Sequence, residues 1–421
     1  MKNKIVIYLF FSIFGILYSY SQSKVLTQNY EINIENDAVH QYMMDVIYAP
    51  HDLSVIDNYR KDLQYRGDWP KPVVINLPQI NTDSLFIICY DDETLKDSMT
   101  FHVSTENKTA QLYNFIPNRT YRYQIKDDND VLQQGKIETK GQLRMIKVCN
   151  TVNNVRDIGG WNTIDNKQIR YGKIFRGSDL NGTHIATEEG INVLRELGVG
   201  AELDLRAWYN AGNNTSAFGF SSNFSSEEVA RYFYSSNSGQ LPSHMSNYTW
   251  QSKWRQEFQF IINNLREGRC IYEHCVQGKD RTGFLSFLLE GLLGVPYTEL
   301  VKDYELTFFI YGTNIKSTKD TIDKVFDYID TMDGETLRDK FNTYFINKIR
   351  VEQSDIDYFR DNMLEAIKPE DAAIRNTESA TDDNFTNSIY DLNGRRILEI
   401  RKSGIYLKKD NNGRVYKVLL H

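Results

Sequence analysis

The residues with the clearest chemical potential lie at 274–283, where the sequence reads His-Cys-Val-Gln-Gly-Lys-Asp-Arg-Thr-Gly. An apolar-containing run precedes this segment and an apolar helix pattern follows it, so we expect a strand, a tight turn and a helix. Such a turn directs several backbone N–H groups and the positive end of a helix dipole into one small concavity. There the thiolate of Cys275 is favoured, and Arg281 adds positive charge. A nucleophile beside an oxyanion cradle predicts phosphoryl transfer through a cysteinyl-phosphate.

Each residue of this loop then has an expected role. Cys275 is the nucleophile, and the Arg281 guanidinium holds the phosphoryl oxygens by its bidentate fork. His274 orients the loop and favours the thiolate, while the Thr282 hydroxyl bonds the sulfur. The amides of the intervening residues bind the substrate phosphate; those assigned to this group are Val276, Gln277, Gly278 and Lys279. This chemistry needs no cofactor and no metal, and the sequence contains no evident metal-ligand pattern.

The loop resembles the signature of cysteine-dependent protein tyrosine phosphatases, which reads His-Cys, five residues, then Arg-Thr or Arg-Ser. Its Gly-Lys-Asp-Arg-Thr-Gly ending is similar to that of a bacterial tyrosine and lipid phosphatase subgroup. A second motif of that subgroup, Asn-x-Arg-Asp-x-Gly-Gly, is matched at 154–160. We expect its Arg156 and Asp157 to pin neighbouring loops more than to touch substrate. The resemblance implies an α/β fold with a central, mostly parallel sheet and flanking helices.

The elements that position the loop fall within a catalytic domain predicted at 146–366. A hairpin is expected from Trp161 to Phe175, and Thr187 should cap a helix that ends at Gly198. A buried strand at 199–203 then delivers Asp204-Leu205-Arg206 to the sheet edge where sites form in α/β folds. Residues 207–248, rich in Ser, Asn, Gly and aromatic residues, predict a lid. Further helices are predicted at 254–265, 284–293, 319–331, 336–348 and 354–366.

The leaving group needs a proton donor, and the sequence leaves two candidates. The Trp-Pro-Asp sequence of larger tyrosine phosphatases does not occur. The resemblance associates Asp204 with the general acid, which makes it the first candidate and Asp280 the second. Arg206 is predicted either to bind a second phosphate or to form a salt bridge within the fold. Lys279 either pairs with Asp204, binds a second phosphate or lies in solvent.

Two β-rich regions flank the catalytic domain. Residues 24–145 contain short strands near 73–77, 85–90 and 99–103, and a period-two segment at 116–125 that resembles a fibronectin-III or immunoglobulin-like sandwich with a corner tyrosine. A polar linker is expected at 367–386. The tail at 387–421 predicts three short strands and resembles the sorting domain of the type IX secretion route of Bacteroidetes-type bacteria; a plain structural appendage is the alternative.

The N-terminus predicts export. Lys2 and Lys4 precede an apolar run from Ile5 to Leu17, and small residues before Gln22 fit a cleavage site, so 1–21 is read as a signal peptide and no stable membrane span is expected. The net charge of −7 argues against nucleic-acid binding. Cys270 and Cys275 share an extended segment and lie about 16 Å apart, too far for a disulfide. The states of Cys89 and Cys149, and the oligomeric state, stay open.

The expected activity is therefore that of an exported phosphomonoesterase acting on phosphotyrosine or a related phosphoester. A phosphoinositide or inositol polyphosphate phosphatase of phytase type is the alternative enzyme. A phospho-ligand binding module on an inactive phosphatase fold is the non-enzymatic alternative. The sequence does not choose among these substrates, because the depth of the pocket and the shape of the lid are not readable from it.

Overall fold

The structure is a computed structural model that describes most of the chain in separate stretches. These are 25–45, 54–60, 66–78, 85–92, 98–104, 106–128, 130–206, 216–219, 224–225, 244–311, 318–367, 388–390, 396–397, 404–409 and 415–420. The predicted signal peptide, nearly all of the predicted linker and most of the predicted lid lie outside the described residues.

The N-terminal region contains two β-sheets that share one apolar core. The larger sheet has the order β1-β8-β7-β4-β5 with β2 also paired to β8, and β3 pairs with β6. Side chains of β4 alternate between buried and half-buried along its length, because one face covers the core. The strands are β1 Leu26–Thr27, β2 Tyr30–Asn33, β3 Val73–Asn76, β4 Leu85–Asp91, β5 Ser98–Val103, β6 Thr109–Leu112, β7 Thr120–Lys126 and β8 Val131–Lys140.

The strands predicted near 73–77, 85–90 and 99–103 are thus confirmed, whereas the immunoglobulin or fibronectin assignment stays a prediction. The Tyr121 hydroxyl accepts a hydrogen bond from the backbone amide of Ile116 (3.0 Å), the kind of contact that a corner tyrosine makes.

Two helices interrupt this region, and the sequence analysis does not predict them. They are α1 Asp37–Asp45 and α2 Ser54–Arg60. Their apolar side chains Val39, Tyr42 and Ile56 are buried in the same core as the helices of the following domain. The N-terminal region is therefore joined to that domain by shared packing, in addition to the covalent connection.

The central sheet of the following domain has the order β13-β12-β14-β11-β9. Its strands are β9 Arg156–Asp157, β11 Ile174–Gly177, β12 Val199–Asp204, β13 Phe224–Ser225 and β14 Cys270–His274. All pairings are parallel except that between β9 and β11. The prediction of an α/β fold with a mostly parallel sheet is confirmed, and β14 lies in the middle of the sheet.

The predicted hairpin at Trp161–Phe175 forms over a shorter stretch. Backbone hydrogen bonds of 2.8 Å join Gly160 and Trp161 to Ile169, and Thr163 to Lys167, so the second arm is β10 Lys167–Ile169 and ends before Phe175. Strand β10 also pairs with β15 Leu364–Ala366, far along the chain. The last residues of the predicted helix at 354–366 form this β15 strand, since the chain turns there to close the domain.

Helices cover both faces of the central sheet. They are α3 Glu188–Glu196, α4 Tyr248–Arg266, α5 Arg281–Leu293, α6 Tyr297–Leu306, α7 Phe308–Tyr311, α8 Thr318–Ile329, α9 Leu337–Tyr344 and α10 Gln353–Met363, with one π-helical turn at Phe345–Ile349. The predicted cap is confirmed, because the Thr187 side chain accepts from the Gly190 amide. Helix α5 is apolar on all sides because almost every one of its residues is buried.

The tail forms a four-stranded antiparallel sheet where three strands are predicted. The strands are β16 Ser388–Tyr390, β17 Arg396–Ile397, β18 Gly404–Lys409 and β19 Val415–Leu420. Lys417 of β19 forms an ion pair with Glu299 of helix α6, so the tail contacts the catalytic domain. Across the described stretches, every helix is too short or too polar to traverse a lipid bilayer.

Candidate active site

The segment between β14 and α5, residues 275–280, forms the predicted phosphate loop. Its tight path requires a glycine, because Gly278 has φ +64° and a Cβ there would lie 2.2 Å from the carbonyl oxygen of Gly177. Strand β14 ends at His274 and helix α5 begins at Arg281, which confirms the strand, turn and helix expected from the sequence.

The carbonyl groups of the phosphate loop are bonded to surrounding elements. The donors are the amide of Asp179 to Val276 (3.1 Å), the hydroxyl of Tyr311 to Gln277 (3.0 Å), and the side chains of Asn154 and Arg176 to Gly278 (3.0 and 3.1 Å). A peptide unit carries its N–H opposite its C=O, so these bonds turn the loop amides towards the inside of the loop. Within the described residues, no group accepts a hydrogen bond from the amides of 276–281.

Cys275 lies at the start of this loop with only 3% of its surface exposed. Burial opposes ionisation of the thiol, but the charge of Arg281 and hydrogen bonds from the side chain and amide of Thr282 outweigh it and hold the thiol pKa below its ordinary value. The Thr282 hydroxyl is fully buried, and the Cys275 sulfur is the group on which it acts.

The other charged residues of the loop are also fixed by contacts. Arg281 donates to the carbonyl oxygen of Leu205 (3.0 Å), which ties the loop to the end of β12. Lys279 is buried, with its ammonium 3.7 Å from Asp280 and 5.6 Å from the ring centroid of Phe308. The possibility that Lys279 lies in solvent is therefore wrong.

His274 is completely buried behind the loop. Its Nε2 lies 3.0 Å from Glu202, and its Nδ1 lies 3.9 Å from Asp204. Burial lowers the pKa of His274, but the carboxylates of Asp204 and Glu202 dominate and raise it above its ordinary value. Its Nδ1 also lies 3.3 Å from the Cys275 carbonyl oxygen, so His274 contacts the start of the loop. Its effect on the thiolate stays a prediction.

Asp204 and Arg206 form a closed ion pair at the end of β12. The carboxylate accepts from the Arg206 backbone amide (2.9 Å) and from its guanidinium at 2.6–3.0 Å. Burial opposes ionisation of Asp204, but the charges of His274 and Arg206 lower its pKa. A carboxyl held ionised in this way is a poor proton donor, so the geometry disfavours Asp204 as the general acid.

The prediction that Arg206 binds substrate needs correction. The guanidinium is fully buried and is shared between Asp204 and Asp179, whose Oδ2 lies 3.4 Å away. Its hydrogen-bonding fork is already occupied, so the alternative prediction, a salt bridge within the fold, is the one observed. The sequence alone could not decide between substrate binding and a salt bridge for Arg206, because its position two residues after Asp204 is compatible with both.

Asp280, the second candidate, has a different environment. It is the residue before helix α5, yet its side chain makes no capping hydrogen bond, and 43% of the side chain is exposed. The Tyr304 hydroxyl lies 3.4 Å from its Oδ1. The carboxyl is thus on the same loop as Cys275 and open to an incoming substrate, and no ion pair as close as that of Asp204 engages it among the described residues.

A buried ion triad supports the loop from below. Arg156 places its guanidinium on both carboxylate oxygens of Asp303 (3.0 and 3.1 Å), and Arg176 bonds the same carboxylate. Arg156 also donates to the side-chain oxygen of Asn154, and the side-chain nitrogen of Asn154 donates to the Gly278 carbonyl. The expected architectural role of Arg156 is confirmed. The sequence analysis assigns no role to Asp303; its one signal is an acidic residue inside a mostly buried helix.

Asp157, the other charged residue of this motif, also has the architectural role expected of it. Its carboxylate accepts hydrogen bonds from the amides of Gly159 (2.9 Å) and Gly172 (2.6 Å) and pairs with Arg144 at 3.3 Å. It therefore fixes two chain turns and lies in the fold interior, 2% exposed.

The cysteine predictions agree with the structure. All four cysteines are free thiols, so Cys270 and Cys275 are not bridged, and neither are Cys89 and Cys149. Burial raises the pKa of Cys89 to about 12, which makes that thiol unreactive.

Two buried glutamates lie near the ion triad. Burial raises the pKa of Glu273 to about 7, with the Ser286 hydroxyl and the two arginines acting in the opposite direction. Burial also raises the pKa of Glu290 well above its ordinary value, and neither of its carboxylate oxygens is hydrogen-bonded within the described residues. Glu273 is therefore partly protonated near neutral pH, and burial favours the protonated form of Glu290 as well.

Glu273 makes the stability of the fold depend on pH. The folded state keeps a proton on Glu273 that the unfolded chain releases above about pH 4.5, so stability falls as pH rises from about 4.5 through 7, by about 3 kcal/mol. Glu273→Gln keeps the acceptor for Ser286 and removes this loss. Urea unfolding of both proteins at pH 5 and pH 8 measures the difference.

The matched control is Glu196→Gln, which changes an exposed glutamate of helix α3. We expect its stability to run parallel to that of the unmodified protein at both pH values. A parallel course for Glu273→Gln as well would show that Glu273 is not protonated in the folded state.

Comparison with known proteins matches the region that contains this site. The sequence profile of the tyrosine phosphatase family matches residues 148–365, slightly more than half of the chain. A tyrosine-protein phosphatase of Cupriavidus necator is 23% identical over 186 residues, covering 41% of this chain and 67% of that protein. A tyrosine-protein phosphatase of Nostoc commune is 40% identical over 57 residues, covering 14% of this chain and 19% of that protein.

Proposed function

Because the chain belongs to the tyrosine phosphatase family, we propose that it hydrolyses phosphomonoesters, with phosphotyrosine as substrate, through a cysteinyl-phosphate intermediate. The observation that carries the proposal is the phosphate loop itself. Its carbonyls are bonded outward, and it holds a thiol of lowered pKa beside Arg281. A ring of amides with a guanidinium is complementary to the charge that develops on a transferring phosphoryl group.

In the first step the Cys275 thiolate attacks phosphorus in line with the ester oxygen. The S–P bond forms, the P–O bond breaks, and the phenolate leaves with a proton from Asp280. The amides of 276–281 and Arg281 hold the three equatorial oxygens during this exchange. Because the loop is already fixed by its outward bonds, little reorganisation is needed when the charge moves.

In the second step a water molecule attacks the cysteinyl-phosphate. The Asp280 carboxylate accepts a proton from that water, the S–P bond breaks, and inorganic phosphate leaves. Cys275 departs as a thiolate, which Thr282 and Arg281 stabilise by the same contacts that lower its pKa in the free protein. The protein ends the cycle unchanged.

We expect Cys275→Ser to abolish turnover while retaining affinity for phosphate, because a serine hydroxyl is not ionised there but leaves the amides in place. Phosphate release is measured on phosphotyrosine peptides, phosphoinositides and inositol hexakisphosphate. Highest kcat/KM on phosphotyrosine peptides supports the proposal, and preference for either inositol class replaces the substrate assignment. Binding without turnover of any phosphomonoester by the unmodified protein would show a phospho-ligand binding module instead.

Asp280→Asn should slow hydrolysis of alkyl phosphates on the order of 10²–10⁴-fold, and of aryl phosphates with acidic phenols much less, because only poor leaving groups need the proton. The comparison variant is Asp204→Asn, which loses the ion pair with Arg206. We expect it to affect both substrate types equally. The reverse pattern, with leaving-group dependence in Asp204→Asn alone, would return the role of general acid to Asp204.

Export belongs to the same proposal and is supported by the sequence of the first 21 residues and by the resemblance of the tail to a sorting domain. Cell fractionation should find the protein outside the cytoplasm with a mature N-terminus at Gln22, as read by N-terminal sequencing. A chain lacking residues 2–21 is the control and should stay in the cytoplasm. An uncleaved N-terminus at Met1 in the fractionated protein would contradict the signal-peptide assignment.

A further inference from the structure

A short segment of the N-terminal region lies against the active site. The match to the phosphatase family begins at residue 148, yet residues 66–69 contact the chain at 150–154. Arg66 donates to the carbonyl oxygens of Asn150 (2.6 Å) and Val152 (3.1 Å) and to the side chain of Asn153 (2.5 Å). One guanidinium thus holds three successive points of the segment that leads into the Asn-x-Arg-Asp motif.

Asp68 makes the contact closest to the phosphate loop. Its carboxylate is buried and accepts from Arg66 at 3.0 and 2.7 Å. It also accepts from the backbone amide of Asn154 (2.7 Å). The Arg66–Asp68 ion pair therefore holds the Asn154 backbone through a charge-assisted hydrogen bond to its amide.

Asn154 is the residue that transmits this contact. Its backbone has φ +58°, the left-handed conformation that asparagine adopts more readily than other residues with a side chain. Its side-chain amide donates to the loop carbonyls of Gly278 (3.0 Å) and Gln277 (3.3 Å). A shift of the Asn154 backbone would therefore move two peptide groups of the phosphate loop.

The segment is also placed tightly against helix α7. A Cβ at Gly67 would lie 2.5 Å from the carbonyl oxygen of Phe309, so the backbones approach as closely as glycine allows. Trp69 lies between two cations, with the guanidinium of Arg66 and the ammonium of Lys147 each 4.7 Å from its ring centroid. These contacts fix the orientation of residues 66–69 relative to the catalytic domain.

We propose that Arg66 and Asp68 are positioning residues of the active site, which set the orientation of the phosphate-loop amides through Asn154. This proposal rests on the proposed function for its kinetic consequence. The catalytic unit then begins before residue 148 and includes a segment that belongs, by chain position, to the N-terminal β region. The N-terminal β region then contributes to the structure of the site.

The test compares Asp68→Asn and Arg66→Met with Arg60→Met. The control removes another arginine of the N-terminal region that reaches helix α7, through the Phe309 carbonyl (3.3 Å), without touching Asn154. Alkylation of Cys275 by iodoacetamide is followed against pH, with the modified peptide identified by mass spectrometry because the other three cysteines are also free thiols. Steady-state kcat, KM and inhibition by inorganic phosphate are measured on the same proteins.

We expect both test variants to raise the alkylation midpoint by about one pH unit, because misaligned amides stabilise the thiolate less. Phosphate inhibition should weaken and kcat/KM should fall about ten-fold or more, while Arg60→Met matches the unmodified protein in all three measurements. Adding Asn154→Ala to Asp68→Asn should cost little beyond Asn154→Ala alone, since the two changes break one path.

The proposal is overturned if Asp68→Asn lowers Tm but leaves the alkylation midpoint and phosphate inhibition unchanged, since that outcome means support of the fold alone. Failure of the proposed function looks different. In that case the unmodified protein hydrolyses no phosphomonoester, while the alkylation midpoint of Cys275 still reports whether Arg66 and Asp68 position the loop.

Discussion

A single carboxylate, that of Asp303, holds two guanidinium groups beneath the phosphate loop. Arg156 and Arg176 both bind it, and each also connects to the Gly278 carbonyl, Arg176 directly and Arg156 through Asn154. Two arginines buried without this partner would leave uncompensated charge in the interior, which is strongly unfavourable. The outward orientation of the loop carbonyls, and hence the inward orientation of the amides, depends on this triad remaining intact.

The parts of the site that the sequence predicts correctly are those whose determinants are local. The turn at Gly278, the strand before Cys275 and the helix after it follow from a few adjacent residues, because glycine, apolar runs and the helix start act over short distances. The strand at 199–204 and the cap at Thr187 follow for the same reason. The architectural role of Arg156 could also be anticipated, since two charged residues before a glycine pair suit the pinning of loops.

The parts that the sequence does not predict depend on partners far along the chain. Lys167–Ile169 is one arm of the predicted hairpin, but it also pairs with the strand that begins at Leu364, which the sequence does not predict. Asp204 and Arg206 are only two positions apart, but Arg206 also pairs with Asp179 from an earlier segment. Arg281, from the helix after the phosphate loop, holds the carbonyl of the Leu205 between them. Asp68 and Asp303 are ordinary acidic residues until the fold brings the Asn154 amide to the first and two arginines to the second. No local sequence pattern predicts these contacts between distant segments of the chain.

The buried acids near the loop indicate how the site keeps an overall positive field in a chain of net charge −7. With Asp303, Glu273 and Glu290 all ionised, three negative charges would face Arg156 and Arg176, and the excess would oppose a phosphate dianion at the loop. Burial raises the pKa of Glu290 well above its ordinary value and that of Glu273 to about 7, so below neutral pH the positive charge of the two arginines exceeds the negative charge around them. Lys279 and Arg281 therefore lie next to an interior that carries no excess of negative charge. Burial of these two glutamates costs free energy of folding, but it also reduces the negative charge beneath the phosphate loop.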